Sequence, residues 1–164
     1  MEKIVILDQQ RIHHKLQRMA YQIWEHNSNE EEVILVGIEG TGLAVAKDLA
    51  KRLSGISSLQ VGVVSLRLNK KSPLTEAIVL DQDLSGKSVV LVDDVANSGK
   101  TLLFAMKPML EFEAKKILIA VLVDRKHKSF PISPDIIGYS LATTLHDHIE
   151  VSSVGENIAA VYLT

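Results

Sequence analysis

The sequence predicts an α/β fold with a mostly parallel central sheet flanked by helices, and three observations carry that expectation. Runs such as "VILVGI" (33 to 38), "SVVLV" (88 to 92) and "KILIAVLV" (116 to 123) are apolar and rich in β-branched residues, with no polar alternation, as in strands covered on both faces. Stretches with helical spacing of apolar residues lie between such runs, as crossover connections require. Turns of small residues, "EGTG" (39 to 42) and the end of "DDVANSGKT" (93 to 101), follow two of the strands, at the carboxyl ends where open α/β sheets bind ligands. A chain of 164 residues, 46% of them hydrophobic, suffices for one domain with a sizeable core and is short for two. Residues 1–164 are therefore expected to form one domain.

Each element has its own reason. After "IVIL" (4 to 7), Asp8 can cap a helix whose Ile12, Leu16, Met19, Ala20, Ile23 and Trp24 share one face, with Trp24 expected in the core or at a subunit interface. "EGTG" leads into a second amphipathic helix carrying Leu43, Ala46, Leu49 and Leu53, and "VGVVSL" (61 to 66) is the next strand. The stretch from Arg67 to about residue 80, beginning "RLNKKSPLTEA", is polar, basic and interrupted by proline, so it reads as a surface loop or flap. "SVVLV" precedes the helix "TLLFAMKPML", which Pro108 should kink or end. "IIGYSLA", "IEVSSV" and "AAVYL" complete the chain as shorter strands.

Composition excludes some classes of function. The formal net charge of -2 provides no overall field toward nucleic acid or membrane, although a local patch remains open. The chain has no cysteine, which removes disulfides and thiolate metal sites. No apolar run approaches the length of a membrane span, and "MEKIVILDQQ" resembles no signal peptide. The expected location is the cytoplasm, without membrane attachment.

The chemistry concentrates in "VVLVDDVANSGKT" (89 to 101). Backbone N–H groups from Asn97 to Thr101, in a turn that opens a helix, would face an anion and be helped by the helix dipole. A Walker phosphate loop requires glycine five positions before Gly99, where this chain has Asp94, and a carboxylate there repels a triphosphate. Asp93 and Asp94 instead suit vicinal hydroxyls, which donate to carboxylates, or a divalent cation. For an isolated acid pair the plainer reading is a turn cap beside a solvated charge. "HDH" (146 to 148) is read as half a metal site or, more simply, as a turn or edge strand.

The thirteen residues resemble the phosphoribosyl pyrophosphate motif of type I phosphoribosyltransferases: four apolar residues, two acids and a small-residue loop ending in Gly-x-Thr. "VILDQQRI", "ILVGIEGTGLAVAKDLAKRL", "VLVDRKHKSFPISPDIIGYSLAT" and "AAVYL" resemble successive blocks of the PyrR family, uracil phosphoribosyltransferases that double as regulators of pyrimidine operons. The resemblance implies the type I phosphoribosyltransferase fold, with a small hood drawn from the C-terminal part. It also implies transfer of 5-phosphoribosyl from phosphoribosyl pyrophosphate to a nucleobase, uracil first, with Mg²⁺ and release of pyrophosphate. Asp93 and Asp94 would then hold the ribose hydroxyls and the metal, directly or through water. Val95, Ala96, Asn97, Ser98, Gly99, Lys100 and Thr101 would hold the 5-phosphate. Glu39, Gly40, Thr41 and Gly42 would form the pyrophosphate loop, and Arg67 would act from the flap beside the reacting centre. Asp124, Arg125, Phe130, Pro131 and Ile132 would serve the base.

The departures are specific. Family members usually carry a basic residue in the pyrophosphate loop, where this chain has Glu39, and the flap's Tyr-Arg-Asp set is represented only by Arg67. Lys70 and Lys71 either meet pyrophosphate or lie in a solvated loop. Purine enzymes of this class place an acidic base where this chain has Asn97, which disfavours a 6-oxo purine. Two further readings stay open, a sensor that binds phosphoribosyl pyrophosphate with little turnover and an RNA-binding regulator. The second rests on Arg11, His13, His14, Lys15, Arg18 and His26 of the first helix, where clustered positive charge would engage RNA phosphates; a solvated helix face is the alternative. The family habit implies a homo-oligomer.

Overall fold

A computed structural model describes residues 2–144 and 146–164. Five strands make a parallel sheet in the order β3 (Gln60–Leu66), β2 (Glu32–Ile38), β4 (Ser88–Ala96), β5 (Lys116–Arg125) and β6 (Ile136–Leu141). The central β2 and β4 are buried along almost their whole length, which is why their sequences show no polar alternation. Helices α1 (Gln9–His26) and α2 (Thr41–Ile56) cover one face, and α3 (Lys100–Met109) covers the other together with residues of the loop after β3.

Helix α1 begins where its capping signal lies: the Asp8 side chain accepts from Arg11 N–H at 2.9 Å. Ile12, Leu16, Met19, Ala20 and Ile23 are buried, and each large side chain among them contributes about 1.5–3 kcal/mol by leaving water. Trp24 does not join that core. It is 39% exposed, because the helix turns its side chain past the edge of the stripe, beside Tyr21. Pro108 sits one residue before the last of α3, so the helix ends within a residue of it.

A second, antiparallel sheet orders β1 (Ile4–Leu7), β8 (Asn157–Leu163) and β7 (Ile149–Val154). The hood expected from the C-terminal part takes in the N-terminal β1 as well, because β8 offers β1 an edge on which Ile4 pairs with Leu163 and Val5 with Tyr162. Strand β4 also runs further than its apolar stretch. It continues through Asp93 and Asp94 to Ala96, held by β5 in a ladder that reaches Asp124, so both acids lie on a strand and not in the following loop. Among the described residues, no helix is long and apolar enough to cross a membrane.

Candidate active site

The carboxyl end of β4 and the amino end of α3 meet at a cleft of about 190 Å³, lined by Lys70, by every residue from Asp93 to Leu102, and by Ile149, and the amino end of α2 reaches the acid pair through Thr41 and Gly42. The acids enter the cleft on β4, which is paired on both sides, with β2 and β5. Asp93 is 1% exposed. Burial first, and then the like charge of Asp94, push its carboxyl up to about 8, against the pull of Lys70. Its Oδ1 accepts from Asp94 N–H at 2.9 Å. Asp94 Oδ1 accepts from Val95 N–H at 2.8 Å, while its Oδ2 accepts from the Thr41 hydroxyl.

Two glycines are required by this geometry. A Cβ on Gly42 would lie 2.7 Å from Asp93 Oδ1, so only glycine lets α2 start against the acid pair. Gly99 has φ 87, the left-handed region, and a Cβ there would come within 2.7 Å of Ile132 Cγ2. It thereby turns the chain from β4 into α3 and leaves the first N–H groups of α3 toward the cleft. Ser98 Oγ accepts from Lys100 N–H at 3.3 Å, which orders that turn.

The segment expected to serve the base folds back onto this loop. Ser129 and Phe130 N–H groups both donate to Ser98 O, at 2.9 and 3.1 Å, and Ile132 rests over Gly99. Lys128 Nζ is 2.5 Å from Asp124 Oδ1 and donates to the Arg125 carbonyl as well. Lys128 is not among the expected site residues, and its spacing of four from Asp124 is the local signal of the pair. Arg125 donates from Nη2 to Thr144 O. Its Nε and the Thr143 hydroxyl are buried with no partner among the described residues.

The expected site residues therefore divide. The structure brings the 93–101 run, Thr41 and Gly42 together and docks Phe130 and Ile132 on them. Glu39 and Arg67 pair with each other instead, with Arg67 Nε 3.0 Å from Glu39 Oε2 on partly exposed side chains. An acid where the pyrophosphate loop would carry a base thus takes up the nearby guanidinium. Ile149, from β7, was not anticipated as a wall of the cleft because nothing local marks it.

Of the basic residues on α1, Arg11, His14, Lys15 and Arg18 line a groove of about 440 Å³ with Leu7 and Tyr139. His13 turns toward Arg52, and His26 lies at the far end of the helix, where its carbonyl accepts from Lys116. Residues 146–148 form a turn and its exit, and Asp147 accepts from Thr144 N–H at 2.8 Å. Among the described residues no group of three or more His, Cys, Asp or Glu is placed to hold a metal.

Comparison with known proteins bears on the family and the fold. The sequence profile described as "Phosphoribosyl transferase domain" matches residues 5–153. A protein of Bacillus cereus (strain AH820) named "Bifunctional protein PyrR" is 34% identical over 162 residues, covering 92% of this chain and 90% of that one. The protein of that name from Bacillus thuringiensis subsp. konkukian gives the same figures, 34% over 92% and 90%. Among solved structures, the hypoxanthine phosphoribosyltransferase of Trypanosoma cruzi superposes with a TM-score of 0.79 at 13% identity, covering 95% of this chain and 94% of that one. A hypoxanthine-guanine phosphoribosyltransferase from Bacillus anthracis gives 0.76 at 19% identity, with 96% of each chain covered. At such identities the structures establish the fold alone. The sequence relatives go further, and with the profile match they establish that this chain belongs to the type I phosphoribosyltransferases, in the PyrR family.

Proposed function

We propose that the protein transfers the 5-phosphoribosyl group from phosphoribosyl pyrophosphate to uracil and releases pyrophosphate, as one domain over 1–164. The observation that carries this reading is an acid pair, its first member buried, and a glycine-started helix N-terminus lining the same cleft. Asp93 and Asp94 accept from the ribose 2- and 3-hydroxyls, while the N–H groups from Asn97 to Thr101 and the Ser98 and Thr101 hydroxyls hold the 5-phosphate. With both ends of the sugar fixed, the bond from its anomeric carbon to pyrophosphate breaks as the uracil nitrogen approaches from the other side, and the proton of that nitrogen leaves to water or to the departing pyrophosphate. The protein orients the reactants and screens charge, and closure of the flap over the cleft keeps water from the oxocarbenium-like centre. The donor set suits Mg²⁺, which prefers oxygen ligands: Asp93 and Asp94 would hold it directly or through water, and when bound it neutralises charge on the leaving pyrophosphate. Asp124, Arg125, Phe130, Pro131 and Ile132 frame the base, and uracil is favoured over a 6-oxo purine because the Asn97 amide cannot take up a proton as a carboxylate would. The test is pyrophosphate release with uracil, hypoxanthine, guanine and orotate separately, alongside calorimetric binding of phosphoribosyl pyrophosphate. Turnover with uracil is expected; turnover with a purine alone overturns the acceptor, and binding without turnover makes the protein a sensor.

The α1 groove favours a second role in RNA binding, which the PyrR resemblance implies. Its cationic edge is divided, since Arg18 donates to the carbonyls of Ile137 and Gly138 at 3.1 and 2.6 Å and Lys15 lies 5.7 Å from the centre of the Tyr139 ring. Retention on a pyrimidine-leader transcript at physiological salt, lost on Arg11→Ala with Lys15→Ala, is the expected outcome; equal retention by the variant removes the role. The reading includes a cytoplasmic homo-oligomer, for which Tyr21 and Trp24, 49% and 39% exposed, offer an aromatic contact surface.

A further inference from the structure

The Gly99 that opens α3 has no side chain to cap the helix, and the Ser98 hydroxyl beside it accepts from Lys100 N–H at a long 3.3 Å. The aim of the first N–H groups of α3 is therefore set from outside the loop. Lys128 Nζ meets three oxygens at the ends of two neighbouring strands: the Asp124 carboxylate at 2.5 Å, the Arg125 carbonyl, and the Ala96 carbonyl at 3.5 Å. Ala96 ends β4 and Arg125 ends β5, so one ammonium ties the start of the 96–99 loop to the start of the base-side segment. The lysine stem then runs alongside the loop, where a Cβ on Gly99 would lie 3.4 Å from Lys128 Cδ. Immediately after it, Ser129 and Phe130 both donate to Ser98 O. The Lys128 and Asp124 side chains are only 18% and 13% exposed, which sets this contact apart from solvated pairs such as Lys47 with Glu156.

We propose that Lys128 is a positioning residue for the 5-phosphate: without touching the ligand, it seats the Ser129 and Phe130 N–H groups on Ser98 O and so keeps the first N–H groups of α3 aimed into the cleft. This rests on the proposed phosphoribosyl transfer. A glycine-bearing loop samples many conformations, and a loop that orders only when its anion arrives loses affinity to its own ordering. The clamp through Lys128 fixes that order in advance, which is the general route to a well-oriented ligand. A compact ammonium with three donors matches three converging oxygens, whereas the planar fork of a guanidinium matches a single carboxylate. Its effect falls on the 5-phosphate, because the clamp grips the 96–99 loop while the β4 ladder with β5 places the acids.

The experiment measures calorimetric binding of two probes with Mg²⁺, phosphoribosyl pyrophosphate and ribose 5-phosphate, to the unaltered protein, to Lys128→Met and to Asn27→Ala. Both probes carry the 5-phosphate and neither carries a base, and Asn27→Ala is a control that lowers stability far from the loop. Lys128→Met is expected to weaken both probes by the same factor, about tenfold, as for ordering about one backbone residue on binding, while Asn27→Ala weakens neither. Removing one partner of a nearly buried ion pair is costly, so the double variant Asp124→Asn with Lys128→Met takes its place in the same assay if thermal melts show that the single one does not fold. Unchanged binding with a lower melting temperature would make Lys128 an ion pair of the fold and overturn the inference. Loss confined to phosphoribosyl pyrophosphate would place its effect on the diphosphate and overturn it as well, as would an equal loss in Asn27→Ala. If the unaltered protein binds phosphoribosyl pyrophosphate but not ribose 5-phosphate, the 5-phosphate has no site of its own and this inference falls alone. If it binds neither probe, the proposed transfer falls and this inference falls with it.

Discussion

At the amino end of β4, Ser88 is 3% exposed and Asn27 is fully buried; the serine hydroxyl donates to Asn27 Oδ1, and the Asn27 amide donates to Ile23 O at 2.7 Å. At the carboxyl end of the same strand, Asp93 is as deeply buried, but its neighbour is a second acid and its nearest cation, Lys70, is half-exposed and 3.6 Å away. The first end is a neutral pair that satisfies itself and pins α1 to the sheet. The second sets one acid against another, so that burial and the neighbouring charge favour the protonated form of Asp93. One strand therefore serves stability at one end and, in the proposed function, ligand binding at the other, and the distinction lies in whether the buried groups are complete without a partner.

The double change Asp93→Asn with Asp94→Asn should break the comparison most strongly. Phosphoribosyl pyrophosphate binding is expected to fall by more than about 100-fold, since two charged hydrogen-bond acceptors are lost. The melting temperature at pH 8 should not fall, because the buried charge is removed. Retained binding in the folded variant, measured by calorimetry, would refute the placement of the site. Gly42→Ala comes next: its added methyl meets Asp93 at 2.7 Å, and overpacking of this kind costs about 1–3 kcal/mol. Urea unfolding should show that loss together with weaker ligand binding.

The opposite end should respond in stability only. Asn27→Ala strands the buried Ser88 hydroxyl and is expected to cost about 1–3 kcal/mol, with ligand binding unchanged. Adding Ser88→Ala should recover part of it, and a double-mutant cycle by denaturant unfolding checks the coupling. The smallest effect is a dependence on pH. Asp93 is held above its unfolded value of 3.8, at about 8, so the folded state binds the extra proton. Its contribution is complete below the unfolded value and is lost as pH rises through the folded one. Stability should therefore fall by about 1 kcal/mol between pH 6 and pH 7 from this group, and the slope should flatten in Asp93→Asn.

Much of this was legible in local patterns. Apolar runs without alternation mark the parallel strands, Asp8 marks the start of α1, and the spacing of two acids before a small-residue loop marks the cleft. Other features were not. The apolar run stops at Val92, yet β4 extends to Ala96 because β5 continues the ladder. The pairing of Glu39 with Arg67 joins residues 28 apart, and the seat of Lys70 against Asp93 depends on a loop whose composition announces only exposure. Trp24 has the spacing of a core residue and sits at the rim.

The sequence by itself determined the alternation of strand and helix, the identity of the acid pair and the small-residue turn that opens α3, because periodicity, capping and turn chemistry act over a few residues. Tertiary structure alone decided which of the expected groups share the cleft, which cations face the acids and how deeply Asp93 is withdrawn from water. Those properties depend on the distance and dielectric between groups far apart in the chain, and only the packed sheet sets them.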